Sequence, residues 1–228
     1  MNQKRRLCSL SGFWFWVYLG EYFNEVEFKN MKNSWIFPGQ ASQKIGMGKD
    51  LYDKTEIGKK YYNIANEILE ADIKSISFNG PEEVLKKTKY TQPAIFIVSV
   101  IIGHAMIEKG YIPDIVAGHS LGEYSAVVVS GGFDFSTGLE LVKLRAESMQ
   151  NAGKINPGTM AAIIGLSSDD VNNLCDEIST DKIVVVANYN TKNQIVVSGH
   201  VEAVENLMIS AKKFGARMVI PLNVSGAF

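Results

Sequence analysis

A 228-residue chain with 46% apolar and 21% charged residues has an ordinary globular composition, with room for one large domain or a domain carrying a smaller insert. Its formal charge of −1 leaves no electrostatic footprint for nucleic acid. Two cysteines, Cys8 and Cys175, without a C-x-x-C spacing offer neither a disulfide framework nor a zinc site.

Residues 1–30 differ from the rest. Lys4-Arg5-Arg6 precedes an apolar, aromatic-rich run from Leu7 to Gly20 that imitates a signal peptide. The run is too short to span a membrane and no A-x-A-like cleavage site follows. We expect an upstream extension, with the regular start at Met31. Ser34–Phe37 reads as the first core strand, broken by the loop Pro38-Gly39-Gln40-Ala41-Ser42-Gln43. Residues 57–70 carry apolar positions at helical spacing, and Pro81–Lys87 has the charge order of a short helix. Thr91-Gln92-Pro93 opens a strongly apolar helix that runs to Lys109, expected to be buried rather than membrane-spanning. Its His104 is then a satisfied core or boundary histidine.

The stretch Gly118-His119-Ser120-Leu121-Gly122 has the G-x-S-x-G spacing of a nucleophile elbow. Tyr111–Ala117 reads as a strand before it, and Glu123–Ser130 as a helix after it, closed by Gly131-Gly132. The turn needs glycine on both sides, and its reward is an exposed Ser120 hydroxyl beside a helix N-terminus and the Leu121 amide. A second helix, about 136–152, sets Leu139, Val142, Leu144 and Met149 against Glu140, Lys143, Arg145 and Glu147. On pattern alone, Arg145 is a solvated surface charge.

From Gly158 the order becomes β-α-β-β-α-β: strands at 159–165, 182–188, 194–198 and 217–222, with helices at 167–178 and 201–215. Tyr189–Asn193 reads as the turn between the middle strands. The fold class is therefore α/β: a hydrolase-like large domain with a nucleophile elbow, plus a ferredoxin-like small subdomain. We divide the chain into an extension (1–30), an incomplete large subdomain (31–156), the ferredoxin-like subdomain (157–222) and a start of return to the large one (223–228).

Three separated motifs resemble the bacterial malonyl-CoA:acyl carrier protein transacylases. They are Phe37-Pro-Gly-Gln40-Ala-Ser-Gln43, where the family usually has glycine at Ala41, then Gly118–Glu123, and Leu144-Arg145 with Met149-Gln150. The likeness covers about Met31 to Phe228. It implies that Ser120 takes a malonyl group from malonyl-CoA and passes it to the phosphopantetheine thiol of acyl carrier protein, in fatty acid synthesis. Backbone amides of Gln40 and Leu121 would form the oxyanion hole, and Arg145 would hold the free carboxylate of the acyl group. His119 is either a pocket residue or a support for the elbow. The resemblance implies a cytoplasmic enzyme with no metal or cofactor, no nucleic acid and no membrane.

A serine nucleophile needs a general base. The resemblance places that histidine directly after Phe228, and none of His104, His119 and His200 takes its role. We therefore expect little activity from the 228-residue chain alone. A serine hydrolase, a non-catalytic remnant that docks acyl carrier protein, and a polyketide synthase acyltransferase domain are the alternatives.

Overall fold

A computed structural model describes residues 6–9, 33–222, 224 and 226–228. The chain divides into two compact units, Met1–Glu147 and Ser148–Phe228. Most of the signal-like run lies outside the described residues, but its beginning is ordered into a strand.

In the first unit that strand, β1 (Arg6–Ser9), pairs in parallel with β3 (Ile115–Gly118), and β2 (Ser34–Phe37) pairs in parallel on the other side of β3. Leu7 and Trp35 both sit opposite Val116. The elbow strand is thus central, and it is shorter than the Tyr111–Ala117 expected. Tyr111 and Ile112 are exposed, Pro113 cannot donate to a ladder, and the pairing begins where Asn33 and Asp114 exchange hydrogen bonds of 3.0 and 2.9 Å.

Between β2 and β3 run α1 (Lys49–Lys54), α2 (Glu56–Leu69), α3 (Ile73–Asn79), α4 (Glu82–Leu85) and α5 (Thr88–Glu108). The long helix α5 is apolar enough by length and composition to cross a membrane. Thr91 through Ile97 are nevertheless buried without a break, the signature of a helix surrounded by its own domain. It begins three residues before the expected Thr91. Pro93 is tolerated this close to the start, because its missing N–H forgoes only one bond, to the Lys89 carbonyl. His104 on this helix hydrogen-bonds the Tyr61 hydroxyl at 2.7 Å, the satisfied histidine expected, and Tyr61 in turn stacks on Phe135 at 4.0 Å.

After β3 come α6 (Gly122–Val129) and α7 (Phe135–Ile155). Leu139 and Val142 of α7 enter the core, whereas Leu144 is 62% exposed, against expectation. Two residues past Val142, Leu144 lies about 200° further round the helix, on the face opposite the buried stripe. Lys143 fastens α7 to the end of α2 by donating to the Ile68 carbonyl at 2.9 Å.

The second unit holds β4 (Gly158–Ile164), α8 (Ser168–Ile178), β5 (Val184–Thr191), β6 (Gln194–His200), α9 (Val201–Phe214) and β7 (Met218–Pro221). Its sheet is ordered β5-β6-β4-β7, and every neighbouring pair is antiparallel. One face packs Ala161, Ile163, Ile195 and Val197 against Val171, Val204 and Leu207 of the helices. A Ser167/Asp170 capping box starts α8. The β5–β6 turn is only Lys192-Asn193: bulges after Val186 and Tyr189 let β5 continue through the segment expected as a loop.

Cys175 lies in this core, and burial pushes its thiol up to about 11. At pH 8 the reactive thiolate should therefore be scarce. Peptide-resolved alkylation should modify Cys175 roughly a hundredfold more slowly in the folded protein than in urea. Equal rates would contradict this packing.

Candidate active site

Ser120 stands at the junction of β3 and α6 with φ 54°, in the left-handed region. That conformation is the strained turn of an elbow, and it explains the flanking glycines. A β-carbon on Gly118 would lie 2.0 Å from the Glu123 nitrogen, and one on Gly122 would lie 2.1 Å from the Phe37 carbonyl oxygen. The turn is closed by Gly122 N–H donating to the His119 carbonyl at 3.0 Å and Glu123 N–H to the Ser120 carbonyl at 3.1 Å. The His119 N–H reaches across to the Phe37 carbonyl at 3.0 Å, tying elbow to β2. Leu121 is fully buried, so its side chain anchors the turn while its backbone stays in place.

The Pro38–Gln43 loop leaves the end of β2 beside this turn. Ala41 adopts φ 83°, the conformation for which glycine is the natural choice. Its N–H is held by the Gln43 side chain at 2.9 Å, and Ser42 closes back on the Gly39 carbonyl at 2.9 Å. Among the described residues, neither the Gln40 N–H nor the Leu121 N–H has a hydrogen-bond acceptor. The imidazole of His119, on an exposed residue, lies against Gly39. The backbone of His119 supports the elbow through its bonds to Phe37 and Gly122.

Arg145, on α7, reaches this turn. Its Nη2 donates to Ser120 Oγ at 2.8 Å and its Nη1 to Gln92 Oε1 at 2.6 Å, and the guanidinium stands 5.9 Å from the centre of the Tyr124 ring. It is not the solvated charge that pattern alone suggested. Burial pulls its pKa down, while Tyr124 and Glu123 push the other way. Both of its acceptors are neutral, an amide and a hydroxyl. A half-buried cation so placed is suited to an incoming anion.

Gln92 is the residue that sequence reasoning missed. It is fully buried on α5, and its Nε2 donates to Gln40 Oε1 at 3.3 Å; Gln40 Nε2 reaches Thr88 Oγ1 at 3.5 Å. The available signal was a glutamine inside an otherwise apolar helix, one turn after Thr88. The other histidines are engaged elsewhere: His104 with Tyr61, and His200 as acceptor for the Ile183 N–H at 2.9 Å. No cluster of potential metal ligands occurs among the described residues. A separate apolar groove of about 470 Å³ between β2 and α5 contains none of Gln40, Gln92, Ser120 or Arg145.

Two substitutions test this geometry through stability. Ala41→Gly removes the left-handed penalty and gives back part of it as chain entropy, for a net gain of about 0.5–1 kcal/mol. Gly122→Ala forces the elbow from β2 and should cost about 2–3 kcal/mol. Denaturant unfolding of both variants checks the signs. A destabilised Ala41→Gly or a neutral Gly122→Ala would contradict the turn as described.

Residues 34–228 match the family model of the acyl transferase domain. The chain is 40% identical over 198 residues to the malonyl CoA-acyl carrier protein transacylase of Bacillus subtilis, covering 86% of this chain and 62% of that one. It is 44% identical to the enzyme of the same name from Synechocystis, covering 87% and 64%. Among solved structures, the Streptococcus pneumoniae protein superimposes with a TM-score of 0.80 at 41% identity, over 86% of this chain and 64% of that one. A malonyl-transacylase in complex with its type II PKS acyl-carrier protein gives 0.80 at 40% identity, with the same coverage. The chain thus spans somewhat under two thirds of the length of these relatives. With the elbow, the loop after β2 and the match running through both units, the chain belongs to the acyl transferase domain family.

Proposed function

We propose that this polypeptide carries the malonyl-binding and nucleophilic part of a malonyl-CoA:acyl carrier protein transacylase, working in the cytoplasm in fatty acid synthesis. Residues 31–156 form the hydrolase-like large subdomain in this reading, and 157–222 a ferredoxin-like one. The observation that carries the proposal is the Arg145 guanidinium, 2.8 Å from the Ser120 hydroxyl and with only neutral acceptors among the described residues. An esterase that handles neutral acyl groups has no use for a cation there. A transferase that must select a dicarboxylic acid's monothioester does.

Ser120 Oγ attacks the thioester carbon, the carbon–sulfur bond breaks, and the serine proton ends on the departing coenzyme A thiolate. The resemblance assigns that proton's passage to a histidine that follows the Asn223–Phe228 stretch. The Gln40 and Leu121 amides, unpaired among the described residues, donate to the oxyanion of the tetrahedral intermediate. Arg145 exchanges its bond to Ser120 for the malonyl carboxylate, which it grips through parallel N–H donors in a way lysine does not reproduce. The carrier's phosphopantetheine thiol then attacks the malonyl-serine ester, and Ser120 Oγ leaves, recovering a proton. His119, against Gly39 at the loop, lines the entrance.

Intact-mass analysis after exposure to malonyl-CoA or acetyl-CoA tests this reading. Any acyl adduct should map to Ser120, vanish in Ser120→Ala, and favour malonyl. Arg145→Ala should lower the malonyl-to-acetyl ratio by about a hundredfold, the scale of one lost charge-assisted clamp. Turnover of neutral esters unaffected by Arg145→Ala would establish a hydrolase instead.

A further inference from the structure

We infer that Gln92 is the positioning residue that gives the Arg145 clamp its selectivity for acidic acyl groups, and that it links this clamp to the loop carrying Gln40. The inference rests on the malonyl reading of Arg145.

The Gln92 side-chain amide has one direction that its neighbours allow. Its oxygen and nitrogen differ only in what they bond to, so the neighbours decide the orientation. Arg145 offers only donors, and the bond from Nη1 is 2.6 Å, so the Gln92 oxygen must face the guanidinium. The Gln92 nitrogen is thereby turned toward Gln40, 3.3 Å from its Oε1. Gln40 then has its own nitrogen left for Thr88 Oγ1 at 3.5 Å. One cation sets the polarity of the whole row, from Arg145 through Gln92 and Gln40 to Thr88. Gln92 and Thr88 are fully buried, and being four residues apart on α5 they share one face.

Two consequences follow for an incoming acyl group. A long arginine side chain that is already fixed along one edge loses less freedom when it captures a carboxylate. The acceptor that fixes it is also uncharged. A glutamate in the same place would pair with the guanidinium permanently and compete with the acyl carboxylate. Glutamine holds Arg145 without neutralising it. Through the Gln40 side chain, the same amide steadies the loop whose backbone N–H is assigned to the oxyanion. Gln92 touches no reacting atom in this scheme and acts through Arg145 and Gln40.

Equilibrium binding of S-malonyl- and S-acetyl-N-acetylcysteamine to the 228-residue protein, followed by ligand-observed NMR, separates this role from general damage. The wild-type protein should bind the malonyl thioester at least tenfold more tightly. Gln92→Met, of similar length but without the amide, should reduce that preference about tenfold, and Gln92→Glu should abolish it. Acetyl binding, which also uses the Gln40 loop, should weaken less than malonyl binding by that same factor, whereas a merely structural role for the glutamine would weaken both alike. Should the melting transition of Gln92→Met collapse, Gln92→Glu, which keeps size and polarity, decides the matter. A wild-type preference retained by Gln92→Glu would overturn the inference and leave the reading of Arg145 intact. A wild-type protein that does not distinguish the two thioesters would overturn that reading, and the inference with it.

Discussion

A guanidinium held half-buried beside a serine hydroxyl, with an amide and a hydroxyl as its acceptors, is the interaction to which the rest of the first unit is fitted. An arginine in that place would leave for solvent unless its donors were met and its helix were fixed. Both conditions are satisfied. Gln92 meets one edge from the buried face of α5, and Lys143, two residues before Arg145, fastens α7 to the Ile68 carbonyl. The desolvation that this placement costs would favour the carboxylate we propose as its ligand, since the attraction between opposite charges strengthens as water is removed.

The serine is presented to the guanidinium by backbone packing. Gly122 lies so near the Phe37 carbonyl that no β-carbon fits between them, and His119 hydrogen-bonds the same carbonyl. The end of β2 therefore fixes both the elbow and the start of the Pro38–Gln43 loop. Two N–H groups left without acceptors among the described residues, on Gln40 and Leu121, come from these two adjoining turns. Ser120, the Gln40 and Leu121 amides and the Arg145 guanidinium, which we propose as nucleophile, oxyanion cradle and carboxylate clamp, thereby gather near one strand end. The left-handed backbone at Ala41 and Ser120 is the strain that this assembly carries.

The elbow was legible in the sequence because its requirements are local: glycine two positions either side of a serine, between a strand and a helix. The alternation of elements in the second unit was legible for the same reason, down to the glycine that ends α9. Less could be seen wherever distant segments decide. Arg145 looks like a surface charge on its own helix, and only the resemblance separated it from Lys143. Gln92 was hidden at the start of an apolar helix, because its value depends on a cation 53 residues away. Arg6–Ser9 gave no sign of a partner, since parallel pairing with β3 is a contact between remote parts of the chain. The turn at Lys192-Asn193 was misplaced because bulges, which are set by the partner strand, leave no clear mark in composition.

The most direct test of the central claim is a crystal structure of the protein with S-malonyl-N-acetylcysteamine. We expect the free carboxylate on Arg145, at charge-assisted hydrogen-bond distances of about 2.8 Å, with Gln92 still bound to Nη1 and the thioester carbonyl directed at the Gln40 and Leu121 amides. A guanidinium turned to solvent, or a carboxylate bound elsewhere with Arg145 still on Ser120, would contradict it.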